Sequence, residues 1–90
     1  MNRAEARLSL LNKSGLHARP ASIFVRTAQR FKAKIIVKKD DKEADAKSIL
    51  SVLALGAECG DQITIIAEGE DASEALKTMV DLIKSKFGEE

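Results

Sequence analysis

Apolar residues along this chain recur with two different periods, and the switches between them mark out its elements. In "EARLSLL" (residues 5–11), Ala6, Leu8 and Leu10 alternate with polar neighbours, the spacing of a half-buried strand. "NKSG" breaks that run. From Ala18 to about Phe31 the period lengthens, and Ala21, Phe24, Val25, Ala28 and Phe31 fall on one face of a helix. "KIIVKK" (34–39) is a second strand, "DDK" a turn and "EADAK" (43–47) a weaker strand. Ser48 opens a short helix, "SILSVLALG", with Gly56 placed to end it. "DQITIIAEG" (61–69) is a further strand with Ile63 and Ile65 on one face. The last segment, "DASEALKTMVDLIKSKF" (71–87), is the clearest helix. Asp71 is its expected cap, Glu74 completes a capping-box spacing, and Ala72, Leu76, Met79, Ile83 and Phe87 line one side.

The order is therefore βαββαβα. It predicts an α+β fold, a two-layer open-faced sandwich. An antiparallel four-stranded sheet carries three helices on one face and meets water on the other. Phe24, Phe31 and the aliphatic positions of the last helix are its expected core.

Composition narrows the function more than the fold. The chain has 90 residues, enough for one modest core. Fifteen basic and fourteen acidic residues leave a formal net charge of +1, and tryptophan and tyrosine are absent. A nucleic-acid binder would be expected to show a basic excess or a stacking platform, so nucleic acid is not an expected partner. No apolar run reaches membrane-spanning length and the start lacks the apolar stretch of a signal peptide, so a cytoplasmic protein without membrane insertion is expected. The single cysteine, Cys59, cannot form an internal disulfide, which fits a reducing compartment; its loop position reads as incidental. One histidine and one cysteine do not make a zinc cage, so neither a metal nor a cofactor is expected.

"GLHARPAS" (15–22) holds the chain's only histidine and only proline. With the helix starting at Ala18, His17 is the residue just before it. The Ala18 and Arg19 amides then lack intrahelical partners and face outward. Such an end attracts anions. Pro20 loses nothing by lacking an N–H in the first turn, Gly15 permits a tight approach, and Ser14 can bond locally. The positive helix end favours the neutral, nucleophilic imidazole. A phosphoryl group on that ring would meet the two amides and Arg19, a site worth ~0.3–2 kcal/mol from the helix terminus. So weak a holder suits a group that must be released. The same residues also serve as an ordinary helix cap with a solvated arginine. No carboxylate lies nearby in sequence to orient the imidazole, and no hydrolytic triad is legible.

"GLHARPAS", then "AKSIL", then "LGAECGDQITI" resemble the HPr family, the histidine-containing phosphocarriers of the bacterial sugar phosphotransferase system. The resemblance runs nearly end to end and implies a single domain over residues 1–90. It implies that Nδ1 of His17 accepts a phosphoryl group from enzyme I and passes it to the IIA domains of sugar permeases, with Arg19 and the Ala18 and Arg19 amides as its binding groups. Such a carrier is a stoichiometric relay component and not an enzyme, and it is expected to be a monomer.

Ser48 reads first as an ordinary N-cap, with Ser51 where a capping box would place Glu or Gln. The resemblance matches it to the serine that the HPr kinase/phosphorylase modifies in Gram-positive bacteria. A phosphoserine there adds about −1.5 to −2 charges. That charge would stand beside Ile49 and Leu50, the candidate docking residues. It would impair enzyme I docking and offer a surface to the catabolite control regulator. Val52, Leu53 and Leu55 are then the expected buried face of this helix, though so short a segment leaves its phase open. Ser51 stands where many relatives have glycine, and Leu50 and Leu53 where methionine is frequent. Leucine keeps the apolar volume with less adaptability. The rival readings are a regulatory paralogue of the catabolite-repression or nitrogen-related type, and a small RNA-binding module. A known catabolite-repression relative lacks the histidine, so His17 weighs against that type.

Overall fold

The computed structural model describes residues 2–89. The chain runs β1 (Arg3–Ser9), α1 (Ala18–Ala28), β2 (Lys34–Lys39), β3 (Lys42–Asp45), α2 (Ile49–Ala54), β4 (Gln62–Glu68) and α3 (Ala72–Lys84), followed by a single tight turn at Lys86–Gly88. The strands form one four-stranded sheet in the order β1-β4-β2-β3. Every pairing is antiparallel, from Arg3↔Glu68 to Ser9↔Gln62 for β1 with β4, and from Lys34↔Glu68 to Lys38↔Thr64 for β2 with β4. β2 and β3 form a hairpin, with Lys39 opposite Lys42 at its tip. The α+β open-faced sandwich follows as the alternation predicts.

Alternation also decides which sheet face is covered. Ile35 and Val37 of β2 and Ile63, Ile65 and Ala67 of β4 are buried, while Ile36, Lys38, Thr64 and Ile66 between them are half-buried on the open side. The covered face meets Ala21, Phe24, Val25 and Ala28 of α1 and Ala72, Ala75, Met79 and Ile83 of α3. Phe24 lies at the centre with its ring tilted against Phe87 at 6.5 Å between centroids. α2 packs on α1 and β3 at the edge of this layer.

Several boundaries differ from the pattern-based expectation. β1 begins at Arg3 and ends at Ser9, two residues earlier than expected at each end. β3 ends at Asp45, and Ala46 turns out of the hairpin to donate to the Ile35 carbonyl. α1 stops at Ala28 because Arg30 and Phe31 donate to Thr27 and Ala28, tightening the last turn and leaving Phe31 only half-buried. α3 ends at Lys84; Lys86 and Phe87 take φ values of +58° and +54°, reversing the chain so that Phe87 still reaches the core. Ala75 is buried where Leu76 was expected, and Leu76 is half-buried.

Asp71 is the instructive correction. It stands at the cap position of α3 but makes no side-chain cap bond. Its two carboxylate oxygens instead accept from the Lys32 and Ala33 amides at 2.9 and 2.8 Å, holding the α1–β2 turn in place. Those bonds, the Lys32 amide foremost, keep its carboxyl below the ordinary value of 3.8.

Candidate functional site

His17 is the N-cap of α1, with extended backbone (φ −82°, ψ −174°) and no side-chain cap bond. Its carbonyl accepts the first helical bond, from the Ala21 amide at 2.8 Å. Pro20 has no N–H, so the Ala18 and Arg19 amides are the free donors of the helix mouth, as expected. Pro20 itself is buried, seating the first turn on the core. Arg19 and the His17 ring are exposed, the ring by 58%.

Two carboxylates that no local sequence signal revealed close around this turn. The first is Glu58, in the loop between α2 and β4. Its Oε1 lies 2.6 Å and its Oε2 3.1 Å from Nε2 of His17. A carboxylate only accepts, so the neutral ring carries its proton on Nε2 and keeps its lone pair on Nδ1. The Glu58 loop is fastened to the histidine loop by the Leu16 amide donating to the Ala57 carbonyl at 2.9 Å. The Glu58 amide donates to Asp61 Oδ2 at 2.8 Å, and Lys39 reaches both Asp61 (3.1 Å) and the Gly56 carbonyl (3.2 Å). Those contacts, the Glu58 amide first and then Lys39, hold the Asp61 carboxyl below its ordinary value.

The second is Glu89. Ser14 Oγ donates to Glu89 Oε2 at 2.7 Å, and it also accepts the expected local bond, from Asn12 Nδ2 at 3.5 Å. Asn12 Nδ2 donates to Glu89 Oε1 at 3.3 Å and to the Gly15 carbonyl at 2.8 Å. The Ser14 bond is the main cause that keeps the Glu89 carboxyl low; the Asn12 bond and the positive charge of Arg19 act in the same direction. The C-terminal end of the described chain thus braces the turn that presents the imidazole.

Ser48 is the N-cap of α2, its hydroxyl accepting from the Ser51 amide at 3.4 Å. On the helix it opens, Val52 is buried, with Leu55 just past the end. Leu53 is 37% exposed, against the expectation that it would share the buried face. At 100° per residue it falls one turn from Ile49, and with Ile49 (38%) and Leu50 (77%) it makes an exposed apolar ridge. α2 thus carries Ser48 at one end, and its other end runs through Gly56 and Ala57 to Glu58 at the histidine.

A polar trough of about 380 Å³ lies on the open sheet face, among Arg3, Arg7, Lys38 and Asp61, and none of His17, Arg19 or Ser48 lines it. Among the described residues no group of three or more His, Cys, Asp or Glu is placed to hold a metal ion, and no helix is long and apolar enough to cross a membrane. An exposed ring with a free lone pair beside the two amides of its own helix mouth can take up an anionic electrophile brought by another molecule.

Comparison with known proteins identifies the family. Residues 4–85 match the family model described as "PTS HPr component phosphorylation site". The phosphocarrier protein HPr of Treponema pallidum (strain Nichols) is 42% identical over 81 residues, covering 90% of this chain and 92% of that one. The HPr-like protein Crh of Halalkalibacterium halodurans is 39% identical over 82 residues, covering 91% and 98%. The crystal structure of HPr-C-His from Thermoanaerobacter tengcongensis superposes with a TM-score of 0.94 at 50% identity, covering 97% of this chain and 98% of that one. With a turn built to present one imidazole, the same sheet and helices, and a match over nearly its whole length, this chain belongs to the HPr family of phosphocarrier proteins.

Proposed function

We propose that this protein is the phosphocarrier of a phosphoenolpyruvate-dependent sugar phosphotransferase system. His17 accepts a phosphoryl group from enzyme I and donates it to IIA domains of sugar permeases. The observation that carries this reading is the exposed N-cap imidazole, with Nε2 engaged by Glu58 and Nδ1 left with its lone pair. As the Nδ1–P bond forms, the donor's bond to phosphorus breaks and the donor keeps that electron pair. The Ala18 and Arg19 amides and the Arg19 guanidinium receive the phosphoryl oxygens. None of these groups binds tightly in an open site, so the phosphoryl group can leave for the next carrier. The protein acts stoichiometrically and is not an enzyme, and it works in the cytoplasm.

Docking falls to Ile49, Leu50 and Leu53, whose ridge offers enzyme I and the IIA domains an apolar contact. Ser48 is the regulatory phosphorylation site of this reading, modified by an HPr kinase/phosphorylase. The added charge stands at the base of the ridge, opposes apolar docking, and presents a new surface to a catabolite control regulator. The likeness to the HPr-like protein Crh favours a second reading, in which partner binding through Ser48 is the main activity.

Onward transfer separates the two. Protein labelled from phosphoenolpyruvate by enzyme I is mixed with a IIA domain, and the label is followed. Passage of label to the IIA domain supports the carrier. Label that stays on this chain, or never reaches it, supports the regulatory reading.

A further inference from the structure

We propose that Glu58 is a positioning residue of the phosphoryl site: it fixes the proton of His17 on Nε2 and carries part of the ring's positive charge while the phosphoryl group is on Nδ1. The inference rests on the phosphocarrier reading. Glu58 is held for the task. Its backbone is locked by the Leu16–Ala57 and Glu58–Asp61 bonds, and Asp61 is held in turn by Lys39. Gly15 packs so closely that a Cβ there would stand 2.7 Å from Glu58 Cα. The backbone that carries the carboxylate is therefore fixed by two interlocked loops, and the exposed side chain spans from it to the ring.

The chemical consequence follows from balance at the ring. Neutral imidazole attacks through Nδ1, whose lone pair becomes the N–P bond, while the proton stays on Nε2. The phosphorylated ring is then an imidazolium, and the Glu58 carboxylate faces its N–H. On donation the electron pair of the N–P bond returns to Nδ1, and a neutral ring is regenerated with no proton having moved. A carboxylate that favours the imidazolium keeps the ring in the form that releases phosphorus as neutral imidazole, the better leaving group. Among the described residues, Lys13 within the turn, Arg19 and the Glu89 carboxylate bonded to Ser14 are further charged groups at this site.

Glu58→Gln and Glu58→Ala separate the two contributions. The glutamine oxygen still accepts from Nε2–H without a charge; alanine removes both. Nitrogen NMR of the unphosphorylated protein, which needs no donor, reads the Nε2–H bond. The hydrolysis half-life of the phosphorylated protein at neutral pH reads the charge. The expected result is an Nε2–H signal protected from solvent exchange in wild type and Glu58→Gln and lost in Glu58→Ala. Both variants should hold their phosphoryl group longer, by about two- to fivefold for an exposed charge pair. Wild-type protection or wild-type half-life in Glu58→Ala would overturn the proposal. If enzyme I labels none of the proteins, wild type included, the carrier reading itself fails and takes this role with it, an outcome distinct from labelled variants that behave as wild type.

Discussion

Gly15 lies against the carbonyl of Ala57 so closely that a Cβ on it would stand 2.5 Å from the oxygen, and its φ of +60° already favours glycine. The contact seats the histidine loop on the loop that carries Glu58. Gly15→Ala should therefore cost about 2 kcal/mol or more, combining left-handed strain with overpacking. Urea unfolding checks this, and an unchanged midpoint would show that the loops are not locked as described.

At Ser48 the cap and the charge separate cleanly. Ser48→Ala should lose ~0.5–1 kcal/mol, the weak end for a cap, because the hydrogen bond to Ser51 is long at 3.4 Å. Ser48→Asp keeps a capping oxygen and adds a charge beside the ridge. Its stability should stay near wild type while labelling by enzyme I slows about tenfold, the effect of ~1.4 kcal/mol of unfavourable desolvation. Equal labelling of all three proteins would remove Ser48 from partner control.

Leu50, 77% exposed, makes the complementary test. Leu50→Ser should shift stability by no more than about 0.5 kcal/mol, as surface changes do. It should nevertheless raise the concentration needed for half-maximal labelling by about tenfold if the leucine is buried on docking. Titration of labelling rate against protein concentration measures it, and an unshifted curve would place docking elsewhere.

Asp71 ties stability to acid. Its carboxyl is held below 3.8 by the Lys32 and Ala33 amides, so the folded state binds its proton less readily than the unfolded state. That stabilisation is fully present above the unfolded value and disappears as pH falls through the lower folded one. The destabilisation of Asp71→Ala relative to wild type should accordingly be constant from neutral pH down to about pH 5 and shrink below it. A difference that persists undiminished in acid would mean the bonds do not depend on the ionised form.

What the sequence made legible was whatever repeats locally. Strand alternation located the covered face through Ile35, Val37, Ile63 and Ile65, and the "GLHARPAS" turn located His17 and Arg19 at the helix mouth. Ser48 was readable as a cap because capping is a matter of neighbouring residues. Glu58 was not, since it meets His17 across 41 positions and its loop carries no pattern pointing there. Glu89 reaches Ser14 across 75 positions for the same reason. Asp71 shows the opposite failure: its local context spells a cap, and two amides of a distant turn take its carboxylate instead. Leu53 was misplaced because six helical residues fix their rotation only when packed against α1 and β3.

The most direct measurement is the site of phosphorylation. The protein is incubated with phosphoenolpyruvate and enzyme I, and phosphorus NMR is recorded on wild type and on His17→Ala. The account predicts one phosphohistidine signal of the Nδ1 type, labile in acid and stable in base, in wild type and none in a folded His17→Ala. A signal that survives that substitution, or a folded wild type that takes up no phosphoryl group, would contradict it.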